Sequence, residues 1–169
     1  MKPIAVVYGS TTDNTKNVAG KIAQLIGGDS ADLLDVSTIH AADLEAYSNL
    51  ILGTSTWGDG ELQDDWDNFM PELKKADLKG KTVALFGLGN ASFYPDTFVN
   101  ALGKLSVAIK EKGCSVVGQV AKDGYTFEAS LALGDDDRFV GLPLDVENED
   151  ALTDSRLKVW VESILPLFQ

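Results

Sequence analysis

Apolar residues fall in two alternating rhythms along this chain. Short aliphatic runs occur at residues 4–8, 32–36, 50–53, 83–87 and 116–120, the last resuming at 139–142. Between them, at 14–26, 41–46, 64–76, 97–112 and 155–167, apolar residues return every three to four positions, the spacing of one helix face. The stripes are Trp66, Phe69, Met70 and Leu73 in the third such segment, Phe98, Leu102, Leu105 and Ile109 in the fourth, and Leu157, Trp160, Val161 and Ile164 in the last. Strand alternating with helix predicts a parallel sheet with helices on both faces, because each parallel connection must cross back over the sheet. Asp32-Leu33-Leu34-Asp35-Val36 is the most polar strand and is expected at an edge.

There are no repeats, low-complexity segments or linkers, and 169 residues with 44% hydrophobic content is the size of one domain, residues 1–169, against the usual ~100–200 per domain. No apolar run is long enough to span a bilayer and no charged-then-apolar leader opens the chain, so a cytoplasmic location is expected. A single cysteine, Cys114, excludes an internal disulfide and sits at the apolar start of a strand, where a buried structural thiol is the expectation. The lone His40 has no His or Cys neighbour that would make a metal site, and is expected at the surface. The formal net charge of −12 argues against nucleic acid and anionic membrane and favours a basic protein partner.

The candidate chemistry lies in the loops after the first, third and fourth strands. Gly9-Ser10-Thr11-Thr12-Asp13-Asn14-Thr15 joins the first strand to the first helix. Hydroxyls and amides at a helix N-terminus make an anion site out of backbone N–H groups, the helix dipole and O–H donors. The turn lacks the Gly-Lys-Ser/Thr of a Walker A loop and the spaced glycines of a dinucleotide fingerprint, and its neutral donors suit one terminal phosphate. After the third strand come Ser55, Thr56, Trp57, Gly58, Asp59 and Gly60; after the fourth come Leu88, Gly89, Asn90 and, four residues on, Tyr94. In such a sheet ligands sit outside the carboxyl ends of the strands, so these loops belong together. A flat ring between Trp57 and Tyr94 is the economical reading of one large aromatic in each loop.

With these three motifs in this order, the chain resembles the flavodoxins over nearly its whole length. The segments 123–128 and 139–145 are similar to the insertion that splits the fifth strand in the long-chain subgroup and to the strand that resumes after it. The resemblance implies a flavodoxin-like three-layer sandwich with a five-stranded parallel sheet in the order 2-1-3-4-5, bound FMN, and one-electron transfer between protein partners by a monomer. It further implies that Ser10, Thr11, Thr12, Asn14 and Thr15 hold the phosphate and that Trp57 and Tyr94 sandwich the isoalloxazine. The peptide after Gly58 would turn its carbonyl toward flavin N5–H on reduction, Asn90 would meet the pyrimidine edge, and Asp145 would reach the ribityl hydroxyls. Asp13, Asp59, Gly60 and Phe98 complete the set of candidate cofactor neighbours, with no metal among the implied groups.

Two positions depart from the family pattern. Asp13 stands where the family usually has Gly, and Asn90-Ala91 where it usually has Asp-Gln. Glu61, Asp64, Asp65 and Asp67 follow the Trp57 loop, where each carboxylate ~10 Å from a ring would oppose added negative charge by ~0.4 kcal/mol in water. A phosphorelay receiver is set aside, since Gly9-Ser10 and Thr54-Ser55 stand where its acidic residues would be. An FMN-dependent quinone or nitro reductase is the rival function on the same fold.

Overall fold

The computed structural model describes residues 2–169. The chain runs β1 (Lys2–Tyr8), α1 (Asn14–Ile26), β2 (Ala31–Asp35), α2 (Ala41–Glu45), β3 (Tyr47–Trp57), β4 (Glu61–Leu62), α3 (Asp64–Lys75), β5 (Thr82–Leu88), α4 (Asn100–Ile109), β6 (Ser115–Val117), β7 (Val120–Ala121), β8 (Arg138–Phe139), β9 (Leu142–Leu144) and α5 (Asp150–Ile164). The main sheet is parallel in the order β2-β1-β3-β5-β6, with the polar β2 at the edge as its composition predicts. Alternate residues of the central strands point to opposite faces. Ala5, Val7, Leu50, Leu52, Val83 and Leu85 pack under α3 and α4 around Trp66, Phe69, Leu73, Leu102 and Leu105. Ile4, Val6, Ile51, Ala84 and Phe86 pack on the other face under α1 and α5, around Val18, Ile22, Leu157, Trp160 and Val161. Each fully buried Leu, Ile or Phe contributes ~1.5–3 kcal/mol, so the two layers clamp the central strands and fix where their ends lie.

The fifth strand position is filled twice. β6 pairs with residues 82–84 of β5, and β9 pairs with residues 86–88 further along the same strand. The 24 residues between them, 118–141, leave the sheet and carry the small antiparallel pair β7·β8. The expected resumption at 139–142 is therefore corrected to Leu142–Leu144, because Phe139 pairs with Val120 outside the main sheet. The apolar run continues across both segments, but at Gly141 the chain passes so close over β5 that a Cβ would lie 2.1 Å from the Leu85 carbonyl oxygen.

Two helix ends also differ from the periodic pattern. α4 starts at Asn100 and not at 97, since Val99 holds φ 48, a left-handed conformation that interrupts the helix. α5 begins at Asp150, five residues before the periodic segment expected from 155, and yields to a 3-10 turn at Leu165–Leu167 where Pro166 removes an N–H donor. Cys114 is half-buried and its thiol is pushed up from the ordinary range by burial, the behaviour of a packing thiol. Among the described residues, no helix is long and apolar enough to cross a membrane.

Candidate functional site

The anion turn is held from below by the start of α3. Gly9 N–H extends the β1·β3 pairing by donating to the Gly53 carbonyl at 3.3 Å, and Trp66 Nε1 donates to that carbonyl at 2.7 Å. A Cβ at position 9 would fall 2.3 Å from Gln63 Oε1 and 2.7 Å from Trp66 Cδ1, so glycine is what lets α3 approach. Gln63, buried at the N-cap of α3, accepts from Asp65 N–H and Trp66 N–H through Oε1 and donates through Nε2 to Thr11 Oγ1 at 3.2 Å. The turn is thus tied to the helix that follows the next loop.

Its upper side is open. Ser10 Oγ accepts from Lys16 N–H at 3.3 Å. The N–H groups of residues 12–15 and the hydroxyls of Thr12 and Thr15 have no partner among the described residues, although Thr15 is 1% exposed. Hydroxyls opening on a cleft beside several helix N-terminal donors, with no protein acceptor among them, define the place of an oxyanion. Asp13 is the N-cap of α1 at φ 68, exposed, with no capping hydrogen bond. Nearby, the Tyr8 phenol is pushed up first by burial and then by the charges of Asp35 and Asp13.

The opposite end of the cleft is closed on itself. Trp57, at the end of β3, pairs antiparallel with Glu61, which makes 58–60 a tight turn closed by Gly60 N–H to Trp57 O at 3.1 Å. Gly58 and Gly60 hold φ 50 and 93, and at Gly60 a Cβ would also meet Asn100 Nδ2 at 2.7 Å. The Trp57 indole is 41% exposed and donates from Nε1 to Ser55 Oγ at 2.8 Å. Across from this loop, Gly89 N–H donates to Leu144 O at 3.0 Å and Tyr94 N–H to Asn90 O at 2.9 Å. The Tyr94 ring remains 47% exposed.

Asn90 is fully engaged. Its Oδ1 accepts from Ser92 N–H, Phe93 N–H and Asn148 Nδ2, and its Nδ2 donates to Glu147 Oε2 at 2.5 Å. Beneath it the buried Asp145 carboxylate accepts from Ala91 N–H at 3.0 Å, from Asn148 N–H at 3.1 Å and from Asn148 Nδ2. One carboxylate therefore joins the loop after β5 to the segment after β9.

The structure brings Ser10, Thr11, Thr12, Asn14, Thr15, Ser55, Thr56, Trp57, Gly58, Leu88, Gly89, Asn90 and Tyr94 to the walls of one cleft. Asp13, Asp59 and Gly60 lie in the same loops but not on its walls. Two further expected residues lie off these walls. Phe98 is 1% exposed and packs against Tyr125, Phe127 and Phe139 under the insertion, with centroids 5.7 Å from Phe127 and 6.2 Å from Phe139. Asp145 faces Ala91 and Asn148 and does not line the cleft. The lining also includes Val146 and Glu147, which sequence reasoning missed. The rule that ligands sit past strand ends would have found them had the resumed strand been placed at β9, whose last residue is Leu144.

A doubly wound sheet with a neutral anion turn, two exposed aromatics and glycine turns at the carboxyl ends of its strands defines a holder of a flat, phosphorylated ligand. The chain belongs to the flavodoxin family, whose model, described as Flavodoxin, matches residues 6–160. It is 45% identical over 159 residues to Flavodoxin 1 of Escherichia coli strain K12, covering 94% of this chain and 90% of that one. It is 43% identical over 164 residues to the flavodoxin of Klebsiella pneumoniae, covering 97% and 93%. Among solved structures, the Fusobacterium nucleatum flavodoxin bound to flavin mononucleotide superposes with a TM-score of 0.93 at 32% identity, covering 100% of both chains.

Proposed function

We propose that this protein binds FMN non-covalently in the cleft and carries single electrons between redox proteins. The observation that carries this reading is the unpartnered Thr15 hydroxyl, which reaches the cleft wall from an otherwise buried residue, beside the free N–H groups of α1 and in the same cleft as the half-exposed Trp57 and Tyr94. Ser10, Thr11, Thr12, Asn14 and Thr15 would hold the phosphate, and a dianion there gains from hydroxyl and N–H donors without needing a lysine. Trp57 and Tyr94 would flank the ring and exclude water from it, with Ser55, Thr56, Leu88 and Gly89 along its edge. FMN, when bound, supplies the one-electron chemistry. The Gly58 turn places a backbone peptide at the cleft wall, and Asn90 with Glu147 forms the polar rim.

Partners are read as basic redox proteins, steered by the net charge of −12 and by the exposed acids Asp59, Glu61, Asp64 and Asp67 that follow the Trp57 loop. We further read the chain as one cytoplasmic domain, a monomer, and a long-chain member, the last on the strength of the insertion between β6 and β9. Anaerobic reductive titration followed by absorbance tests the function. A yellow protein that takes up two electrons in separate one-electron steps is expected, with no NAD(P)H oxidation unless a partner reductase is added. Steady NAD(P)H oxidation by the protein alone would transfer the assignment to a quinone or nitro reductase.

A further inference from the structure

A second cavity, of about 420 Å³, opens between α5 and the start of the insertion, and it shares no lining residue with the cleft. Small-molecule sites have ~300–1,000 Å³ and an apolar lining with a few polar groups. Here the apolar lining is Trp160 and Val159 of α5 together with Val120, Tyr125 and Leu142. Trp160 and Leu142 are buried while Val159 is 66% exposed, so apolar surface runs from the floor to the mouth. The polar lining is divided unequally between donors and acceptors. The Trp160 indole N–H donates to Gly118 O at 2.9 Å, the Tyr125 hydroxyl to Pro143 O at 2.8 Å, and the Ser155 and Ser163 hydroxyls to carbonyls of their own helix. Arg156, the one cation on the wall, lies over the Tyr125 ring at 4.2 Å, and both its Nη atoms donate, to the Glu149 carboxylate and to Gly124 O. In contrast, the Asp123 carboxylate and Gln119 Oε1 have no partner among the described residues. α5 also has no basic residue in its last turn, so the negative end of its dipole beside Ser163 is not offset there.

We propose that this cavity binds a small organic cation, an ammonium group carried on an apolar, ring-sized body. The body takes the apolar lining out of water, and that supplies most of the affinity. An ammonium brings donors and no acceptor, which is what the free Asp123 and Gln119 oxygens lack. No unpaired cation on the wall opposes its charge, because Arg156 is neutralised by Glu149. A carboxylate in the same place would meet Asp123 with the donors already spent. An exposed ion pair is worth a factor of about two to five, so the apolar body decides that something binds and Asp123 decides what.

The test is an NMR titration of the FMN-saturated protein with phenethylamine, phenylethanol and phenylpropionate, followed at the Trp160 indole N–H and at the methyl groups of Val120, Leu142 and Val159. The amine should bind about two- to fivefold more tightly than the alcohol, and the carboxylate more weakly than either. Asp123→Asn, on an exposed loop, should bring the amine down to the affinity of the alcohol and leave the alcohol unchanged. High salt should shrink the same preference without touching the alcohol. Val159→Lys, at an exposed helix position, removes apolar wall and sets a cation at the mouth; it should weaken the amine by about fivefold or more and leave FMN affinity as it was. Saturable shifts at these four residues with that order of affinities support the site. No saturable shift there, equal affinity for the three compounds, or an amine preference that survives Asp123→Asn overturns it.

Discussion

The two ends of the cleft are built on opposite plans. At the turn 9–15 the donors outnumber the protein acceptors: the N–H groups of residues 12–15 and the hydroxyls of Thr12 and Thr15 have no partner among the described residues. At the other end almost every polar atom is satisfied internally, with Asn90, Asp145 and Asn148 linked to one another and to three backbone N–H groups of the 91–93 loop. The first end is left incomplete for a strong acceptor to finish, so its hydrogen bonds contribute to binding. The second is complete beforehand, so its hydrogen bonds contribute to folding, and the ring it would receive is recognised by shape and by backbone. Substitutions should separate these two currencies.

The largest effect on the folded protein alone is expected at the closed end. Asp145→Ala removes a buried carboxylate that accepts from the part-buried Ala91 N–H and from the exposed Asn148, whose Nδ2 keeps Asn90 Oδ1 as an acceptor. One unsatisfied donor away from water costs ~1–3 kcal/mol, so a loss of ~1–3 kcal/mol of stability is expected in urea unfolding of the apoprotein. A loss below ~1 kcal/mol would mean that the 90–93 loop is not held by this carboxylate.

Thr15→Val sharpens the contrast from the open side. The substitution removes a hydroxyl that has no partner in the fold and keeps the branched shape, so apoprotein stability should change by less than ~1 kcal/mol. FMN affinity should fall by ~10–100-fold, the loss of one hydrogen bond to a charged group at ~1.5–3 kcal/mol. Riboflavin, which has no phosphate, should bind the variant and the parent equally in fluorescence-quenching titrations. Equal losses for both ligands would place Thr15 away from the phosphate.

The same contrast explains what the sequence made legible. Turn 9–15 is local: strand, hydroxyl cluster and helix are contiguous, and the type of every donor is visible in seven residues. β1 and β5 were readable because each is a short apolar run, β2 by the Leu33-Leu34 pair between two aspartates, and β3 was seen only at its centre because its ends, Tyr47 to Asn49 and Thr54 to Trp57, are mixed in polarity. The closed end is not local. Asn90 meets Glu147 57 positions away and Asn148 58 positions away, across an insertion whose re-entry point is set by the close passage of Gly141 over β5. No periodicity carries that information. Phe98 shows the same effect in reverse: its stripe position marked it as core, and the aromatics of the insertion then supplied the neighbours that keep it from the cleft.

The smallest expected effect is at Asp13, which belongs to the open turn but lies off the cleft wall. At φ 68 it occupies a conformation that glycine adopts freely and other residues adopt at ~1 kcal/mol or more, Asp less than most. Asp13→Gly relieves that strain but loses the ~0.3–1 kcal/mol of a carboxylate at a helix N-terminus and adds unfolded-state entropy, so apoprotein stability should change by less than ~0.5 kcal/mol. Binding should respond more clearly. A single charge and a phosphate of about −2 at ~10 Å repel by ~0.8 kcal/mol in water, and the exposed carboxylate faces solvent of that dielectric, so removal should tighten FMN by ~2–4-fold at low salt. The gain should fade as added salt shortens the screening length to ~3 Å near 1 M. Asp13→Asn separates charge from backbone, because Asn keeps the tolerance for positive φ and loses the charge. Matching gains for Gly and Asn, both erased by salt, are the expected result; a gain for Gly alone that survives salt would assign the effect to the strained backbone of the turn.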